Sequence, residues 1–67
     1  MVVSVIGLGY IGLPTAAILA SNDVRVIGVD NNAEIVDSIN KGHVHIVEPN
    51  LDSLVQKAVL KGNLKAF

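Results

Sequence analysis

Residues Val5 to Pro14 read V-I-G-L-G-Y-I-G-L-P, and Asp30 lies eighteen positions after the last of the three glycines. Glycines in the spacing G-x-G-x-x-G also mark ordinary turns, so the setting carries the constraint. An apolar run, Val2 to Ile6, precedes the motif, and an alanine-rich stretch, Pro14 to Ala20, follows it. A second apolar run, Val24 to Val29, then ends on the acid. Strand, glycine turn, helix, strand and acid within about 30 residues form the fingerprint of a dinucleotide-binding βαβ unit. Each part has a physical task. Gly7 allows the tight turn out of the first strand. Gly9, without a side chain, lets backbone approach a pyrophosphate. Gly12 lets the helix pack closely on the strand. The helix start offers unpaired N–H groups and the positive end of the helix dipole. Asp30 can accept hydrogen bonds from a ribose diol. The competing interpretation is an α/β turn that binds nothing.

The acid also discriminates between cofactors. A carboxylate beside the ribose 2′-hydroxyl suits NAD and repels the 2′-phosphate of NADP. Asn31 and Asn32 follow it, and the one arginine, Arg25, sits at the far end of the second apolar run. NAD is the expected cofactor.

With 67 residues the chain holds one small domain at most, and a chain near this size buries only about 60% of its unfolded surface. Hydrophobic residues make up 51% of it, with one Phe, one Tyr and no Trp, so Val, Ile, Leu and Ala must build the core. That composition suits parallel strands with helices on both faces. A net charge of −1 and the scarcity of aromatic rings give no case for nucleic acid or an anionic membrane. The absence of cysteine excludes disulfides, thiolate metal sites and a cysteine nucleophile. No apolar run approaches the length of a membrane span. The N-terminus lacks a basic leader region, and the glycines interrupt its apolar stretch. A cytoplasmic location is expected.

Along the chain, the pattern predicts strand Val2 to Ile6, helix Tyr10 to Ser21 and strand Val24 to Val29. Pro14 falls near the first helical turn, where a missing N–H costs little. Ala16, Ala17 and Ala20 give that helix a thin face toward the sheet. A second helix starts near Asn32, with Asn31-x-x-Glu34 resembling a capping box and Ile35, Val36 and Ile39 as its apolar stripe. Gly42 ends it. His43 to Glu48 lacks a helical period and is expected to be extended. Asn50 is placed to cap a third helix, Leu51 to Lys61, with Leu51, Leu54, Val55 and Ala58 on one face, and Leu64 to Phe67 begins a third strand. The fold class is therefore α/β: a partial Rossmann-type, doubly wound parallel sheet in the order β-α-β-α-α-β.

Six extended residues span about 20 Å and ten helical ones about 15 Å. His43 to Glu48 can thus climb back to the cofactor end of the sheet and bring Glu48-Pro49 to the mouth of the cleft. Glu48 there is either a substrate-side acid or part of a loop shaped by its proline. His43-x-His45 has spacing for a metal pair on an extended segment. A zinc site needs three or four ligands, however, and Glu48 projects to the other face. Two loop histidines and no metal are expected. The charges of Glu34, Asp37, Lys41, Asp52, Lys57 and Lys61 are expected to form solvated helix faces.

Four segments resemble the N-terminal end of the UDP-glucose/GDP-mannose dehydrogenase family, over nearly the whole chain. They are G-L-G-Y-I-G-L-P-T-A from Gly7, V-I-G-V-D from Val26, I-N-K-G from Ile39 and V-E-P-N-L from Val47. The H-I-V-E-P form of the last segment leans toward the branch acting on UDP-N-acetyl-D-mannosamine. So does Ala33-Glu34-Ile35, where many members place a basic residue after the ribose acid. The resemblance implies an NAD-dependent, four-electron oxidation of the C6 hydroxyl of a UDP-sugar to the uronate, in polysaccharide biosynthesis. On the matching positions, between Gly7, Gly9 and Gly12 of the motif, Tyr10 and Ile11 would present backbone to the pyrophosphate, and Asp30 would hold the adenosine ribose. The family's catalytic cysteine and its lysine, asparagine and aspartate partners come from later segments, as does the substrate domain. No catalytic residue is therefore expected here. The expectation is the first part of an NAD-binding domain, inactive alone.

Two other functions compete. One is a free-standing NAD- or nucleotide-binding module without catalysis. The other is the start of a β-hydroxyacid-type dehydrogenase, whose opening V-I-G-L-G usually continues Met-Gly rather than Tyr10-Ile11-Gly12. Homo-oligomerisation or self-association through an exposed strand edge is also expected, because strand one of such sheets normally has neighbours on both sides.

Overall fold

A computed structural model describes residues 1–67 in full. Valine- and isoleucine-rich runs suit a pleated, half-buried surface, and they form β1 (Val2–Ile6) and β2 (Arg25–Val29), with a short β3 (Leu64–Ala66). Between them lie α1 (Gly12–Ser21), α2 (Ala33–Asn40) and α3 (Leu51–Leu60). The predicted order β-α-β-α-α-β holds. The three strands are parallel in the order β1-β2-β3. Val3 pairs with Val26 and Val26 with Leu64, so these three share one side of the sheet.

That side also carries Val5, Gly28 and Ala66, and all three helices cover it. Leu13, Ala16, Ala17 and Ala20 of α1, Ile39 of α2, and Leu51, Val55 and Ala58 of α3 join Val26, Leu64 and Ala66 in one buried cluster. The alanine face of α1 works as expected, letting the helix lie close to β2. The opposite side, with Val2, Ser4, Ile6, Arg25 and Lys65 exposed, has no helix on it. The expectation of helices on both faces is therefore wrong for this chain. Every helix it contains lies on the same side, because both crossovers step the sheet in the same direction, from β1 to β2 to β3.

The outer edge of β3 is sealed by α2. Asn40 Nδ2 donates to the Ala66 carbonyl at 2.9 Å, and the Ala66 N–H donates to Asn40 Oδ1 at 2.8 Å. One carboxamide thus takes the place of a neighbouring strand.

Local details differ from expectation: β2 starts at Arg25 rather than Val24, α3 ends at Leu60 rather than Lys61, and β3 ends at Ala66 rather than Phe67. The first helix begins at Gly12, not Tyr10, because Gly9 to Ile11 form a turn ahead of it. The cap of α2 is Asn32 rather than Asn31: Asn32 Oδ1 accepts from the Glu34 and Ile35 N–H groups at 3.0 and 3.4 Å. Asn50 does sit at the cap position of α3, but in the left-handed region (φ 66°) and without a side-chain cap bond. The segment between α2 and α3 alternates as an extended strand would, with Val44 and Ile46 inward and His43, His45 and Val47 outward, but it pairs with no strand. On surface-exposed α2, Lys41 and Asp37 pair at 2.9 Å, a contact of little energetic weight.

Candidate functional site

The site lies where β1 and β2 end. Gly7 leaves β1 with φ +87°, a conformation that favours glycine. Its N–H still donates to the Val29 carbonyl at 2.7 Å, so the turn starts while locked to β2. The chain then passes through Leu8, Gly9, Tyr10 and Ile11 into α1. Gly12 faces the turn so closely that a Cβ there would overlap the Gly7 carbonyl oxygen. Its sequence role, close approach of helix and strand, is what the structure uses.

The backbone N–H groups of Gly9, Tyr10, Ile11 and Gly12 donate to no acceptor in the chain. The first N–H of the helix to be satisfied is that of Leu13, which donates to the Gly9 carbonyl at 3.1 Å. Ile11, at the cap position, has no side chain able to cap, and the first turn carries no acidic residue. Four free donors at the positive end of a helix form a place for an anion. They open into a hollow of about 560 Å³ lined by Val5, Ile6, Gly7, Gly9, Tyr10, Ile11, Gly12 and Thr15. An ideal Cβ on Gly9 would meet nothing within 4 Å. That empty volume is what a ligand approaching the backbone would occupy. Tyr10 and Ile11 turn their side chains to solvent and present backbone to the hollow.

Asp30 borders an adjoining hollow with Ile6, Gly7, Val29 and Asn31. Its carboxylate is held by backbone on both oxygens. The Leu8 N–H donates to Oδ2 and the Asn32 N–H to Oδ1, each at 2.9 Å. The Leu8 bond, then the Asn32 bond, hold the Asp30 carboxyl below the usual carboxylate range; His45 adds a smaller push the same way, and partial desolvation opposes it. A carboxylate has about four lone-pair directions, so two are left for a diol. Arg25 is at the far end of β2, about 16 Å along the strand, and no arginine or lysine pairs with Asp30.

All six residues singled out from the sequence (Gly7, Gly9, Tyr10, Ile11, Gly12 and Asp30) come together at this one end of the sheet. Sequence reasoning missed Leu8 and Gly28, which fix the turn from beneath. A signal was present: a glycine inside a strand often marks a close approach by another part of the chain, and Gly28 stands in the middle of V-I-G-V-D. Glu48 and Pro49 come back beside the first turns of α1, lining a small hollow with Pro14, Ile18, Leu51 and Leu54. The extended segment thus climbs as its length implied. His43 and His45 are exposed, and no three metal-ligating side chains converge anywhere in the chain.

The donors, the Gly9 space and the half-used carboxylate fit a dinucleotide, and comparison with known proteins gives the same answer. Residues 1–67 match the sequence family described as the UDP-glucose/GDP-mannose dehydrogenase family, NAD binding domain. A UDP-N-acetyl-D-mannosamine dehydrogenase of Campylobacter jejuni is 69% identical over 64 residues, covering 96% of this chain and 16% of the relative. An NDP-N-acetyl-D-galactosaminuronic acid dehydrogenase of Ralstonia nicotianae is 62% identical over 64 residues, 96% of this chain and 15% of the relative. Among solved structures, a GDP-mannose dehydrogenase from Pseudomonas aeruginosa superposes with a TM-score of 0.98 at 40% identity, covering all of this chain and 15% of its own. The chain thus spans about one sixth of the length of these relatives. No helix is long and apolar enough to cross a membrane. The chain belongs to the UDP-glucose/GDP-mannose dehydrogenase family, and the domain it matches is the family's NAD-binding domain.

Proposed function

We propose that residues 1–67 supply the adenosine-diphosphate half of the NAD site of a nucleotide-sugar dehydrogenase acting on UDP-N-acetyl-D-mannosamine. The observation that carries the site assignment is the set of unpaired N–H groups from Gly9 to Gly12 beside the half-used Asp30 carboxylate. The four donors receive the pyrophosphate; the two spare lone-pair directions of Asp30 receive the ribose diol. Gly7 and Gly12 allow the turn between them. NAD supplies the hydride acceptor for the oxidation of a C6 hydroxyl to a carboxylate. This chain's part is to bind and orient it.

The relatives' names differ in the sugar but agree on a nucleotide-linked hexose. The 69% identity to the mannosamine enzyme supports that sugar. The sequence has no cysteine, so this chain supplies no thiol nucleophile. We place the protein in the cytoplasm. The test is an assay of the longest polypeptide encoded with this chain. NADH should form from UDP-N-acetyl-D-mannosamine in preference to UDP-glucose and GDP-mannose, while purified residues 1–67 form none. Turnover by the 67-residue chain alone, surviving a contamination control, would overturn the division of labour. Binding of NAD with no sugar oxidised by any longer polypeptide would favour a free-standing binding module.

A further inference from the structure

The fingerprint leaves Leu8 unspecified, yet Leu8 is the residue by which the turn is held. Its side chain is fully buried and sits in the notch left by Gly28: a Cβ at position 28 would stand 2.8 Å from Leu8 Cδ2 and 3.0 Å from Cδ1. Its N–H donates to Asp30 Oδ2 at 2.9 Å, across twenty-two residues. Next to it the Gly7 N–H donates to the Val29 carbonyl at 2.7 Å. Three consecutive residues at the end of β2 therefore grip two consecutive residues of the turn. Gly28 receives a side chain, Val29 accepts through its carbonyl, and Asp30 accepts through its carboxylate. Beyond Leu8 come the four N–H groups with no acceptor in the chain. Donors with no internal partner do not hold one another in a convergent arrangement. Their order has to come from where the turn is anchored, and a preset arrangement lowers the ordering cost of binding.

We infer that Leu8 is a positioning residue for the diphosphate-binding donors, and that Asp30 serves two subsites, fixing the glycine turn through the Leu8 N–H while its remaining lone pairs read the ribose. This rests on the NAD-site assignment above. It carries a consequence that ribose recognition alone does not. Removing the Asp30 carboxylate should weaken binding of the diphosphate itself, even in a ligand with no ribose diol to read. Gly28 should likewise matter for a ligand it never touches.

The experiment is calorimetric titration of the longest polypeptide encoded with this chain with ADP and with 2′,3′-dideoxy-ADP, alongside hydrogen exchange of the peptide spanning Val5 to Gly12. Asp30→Ala should lose about tenfold in affinity for dideoxy-ADP, as expected for one charge-assisted hydrogen bond, and more than that for ADP. Gly28→Ala, which pushes on Leu8 and spares the ribose contact, should weaken both ligands by the same factor. Leu8→Met, close in volume, should keep both. In Asp30→Ala and Gly28→Ala the Val5–Gly12 peptide should exchange faster than in the unmutated protein. If Asp30→Ala does not fold, Gly28→Ala, which leaves the carboxylate in place and presses on Leu8, carries the test through its equal loss of both ligands and its faster exchange. Unchanged dideoxy-ADP affinity and unchanged exchange in the folded Asp30 variant would overturn the inference while leaving ribose recognition intact. An unmutated protein that binds neither nucleotide would remove the NAD-site assignment and this inference with it.

Discussion

The carbonyl of Gly7 occupies the place where a side chain on residue 12 would begin: a Cβ on Gly12 would overlap its oxygen and lie 2.8 Å from its carbon. Both neighbours are backbone, so neither can rotate aside. Gly9, three residues earlier, has nothing within 4 Å of its own ideal Cβ and no positive φ. The two glycines therefore serve different ends. Gly12→Ala should destabilise the fold by about 2 kcal/mol or more, as overpacking does, and show it as a lower urea midpoint. Gly9→Ala should leave stability within about 0.5 kcal/mol yet abolish measurable NAD binding, because its methyl group points into the space of the pyrophosphate. A stable Gly12→Ala protein, or a Gly9→Ala protein with undiminished affinity, contradicts the assignment of roles.

The proposed site makes cofactor choice depend on Asp30. Its carboxylate is held ionised by the Leu8 and Asn32 N–H groups, and no arginine or lysine stands beside it. NAD should bind in clear preference to NADP. Asp30→Ala should erode that preference by lowering NAD affinity and removing repulsion of the 2′-phosphate. Calorimetry with both cofactors on both proteins decides it, and equal affinity in the unmutated protein rules the role out.

Much of this was legible in advance because it depends on local rules. Val2–Ile6 was read to the residue, since a β-branched run ending in Gly-x-Gly admits few alternatives. The alanine face of α1 and the apolar stripe of α3 follow from helical spacing and are buried as that spacing requires. What escaped depends on distant partners. Asn31 and Asn32 are equivalent capping candidates in sequence. The choice falls on Asn32 in a turn where its N–H is drawn to Asp30. Helix α1 starts two residues late because Tyr10 and Ile11 lie in the turn with their N–H groups free. The Leu8–Gly28 contact joins residues twenty positions apart: a mid-strand glycine signals a close approach but does not name its partner.

Acid should unfold the protein partly through Asp30. Its carboxyl titrates, when folded, below its ordinary value of 3.8. A lowered folded value means that the unfolded chain takes up the proton first. The contribution of Asp30 is complete above the ordinary value and is lost as pH falls through the lower, folded one. Urea midpoints of the unmutated protein and Asp30→Ala should therefore differ at pH 6 and converge as pH falls below 3.8 and through the lowered, folded value. A difference that stays constant across that range, or grows, contradicts the hydrogen-bonded carboxylate.

Asn40 substitutes for a strand. Its amide satisfies both the N–H and the carbonyl of Ala66. Asn40→Ala would leave both without a side-chain partner at the edge of the sheet. A loss of about 1–3 kcal/mol is expected, and Asn40→Asp, which keeps an acceptor for the Ala66 N–H but no donor for its carbonyl, should lose more than half of it. Thermal or urea denaturation measures both. The Ala66 edge in Asn40→Ala should also become a site for strand pairing, seen as faster aggregation at equal stability.

With β3 sealed by Asn40, the open edge of the sheet is that of β1, which pairs only with β2. Four of its five residues are apolar, and Val2 and Ile6 are 58% and 77% exposed. Phe67, just past β3, is 57% exposed as well. An unpaired, apolar strand edge is a template for another chain, and a chain of this size has little core to spare against the pull of association. Residues 1–67 alone should therefore self-associate, aggregate or be partly unfolded at high concentration. Ser4→Pro, which removes a strand N–H, separates the causes. Gly7 and Met1 bond to β2, so in the alternating parallel ladder the Ser4 N–H faces outward. If the free β1 edge drives association, proline there lowers the sedimenting mass. Ile6→Lys, which leaves the backbone intact and charges the edge, should do the same. Sedimentation of the unmutated chain as a compact monomer with a cooperative unfolding transition would show that the β1 edge is tolerated in water, and would favour a module that works alone.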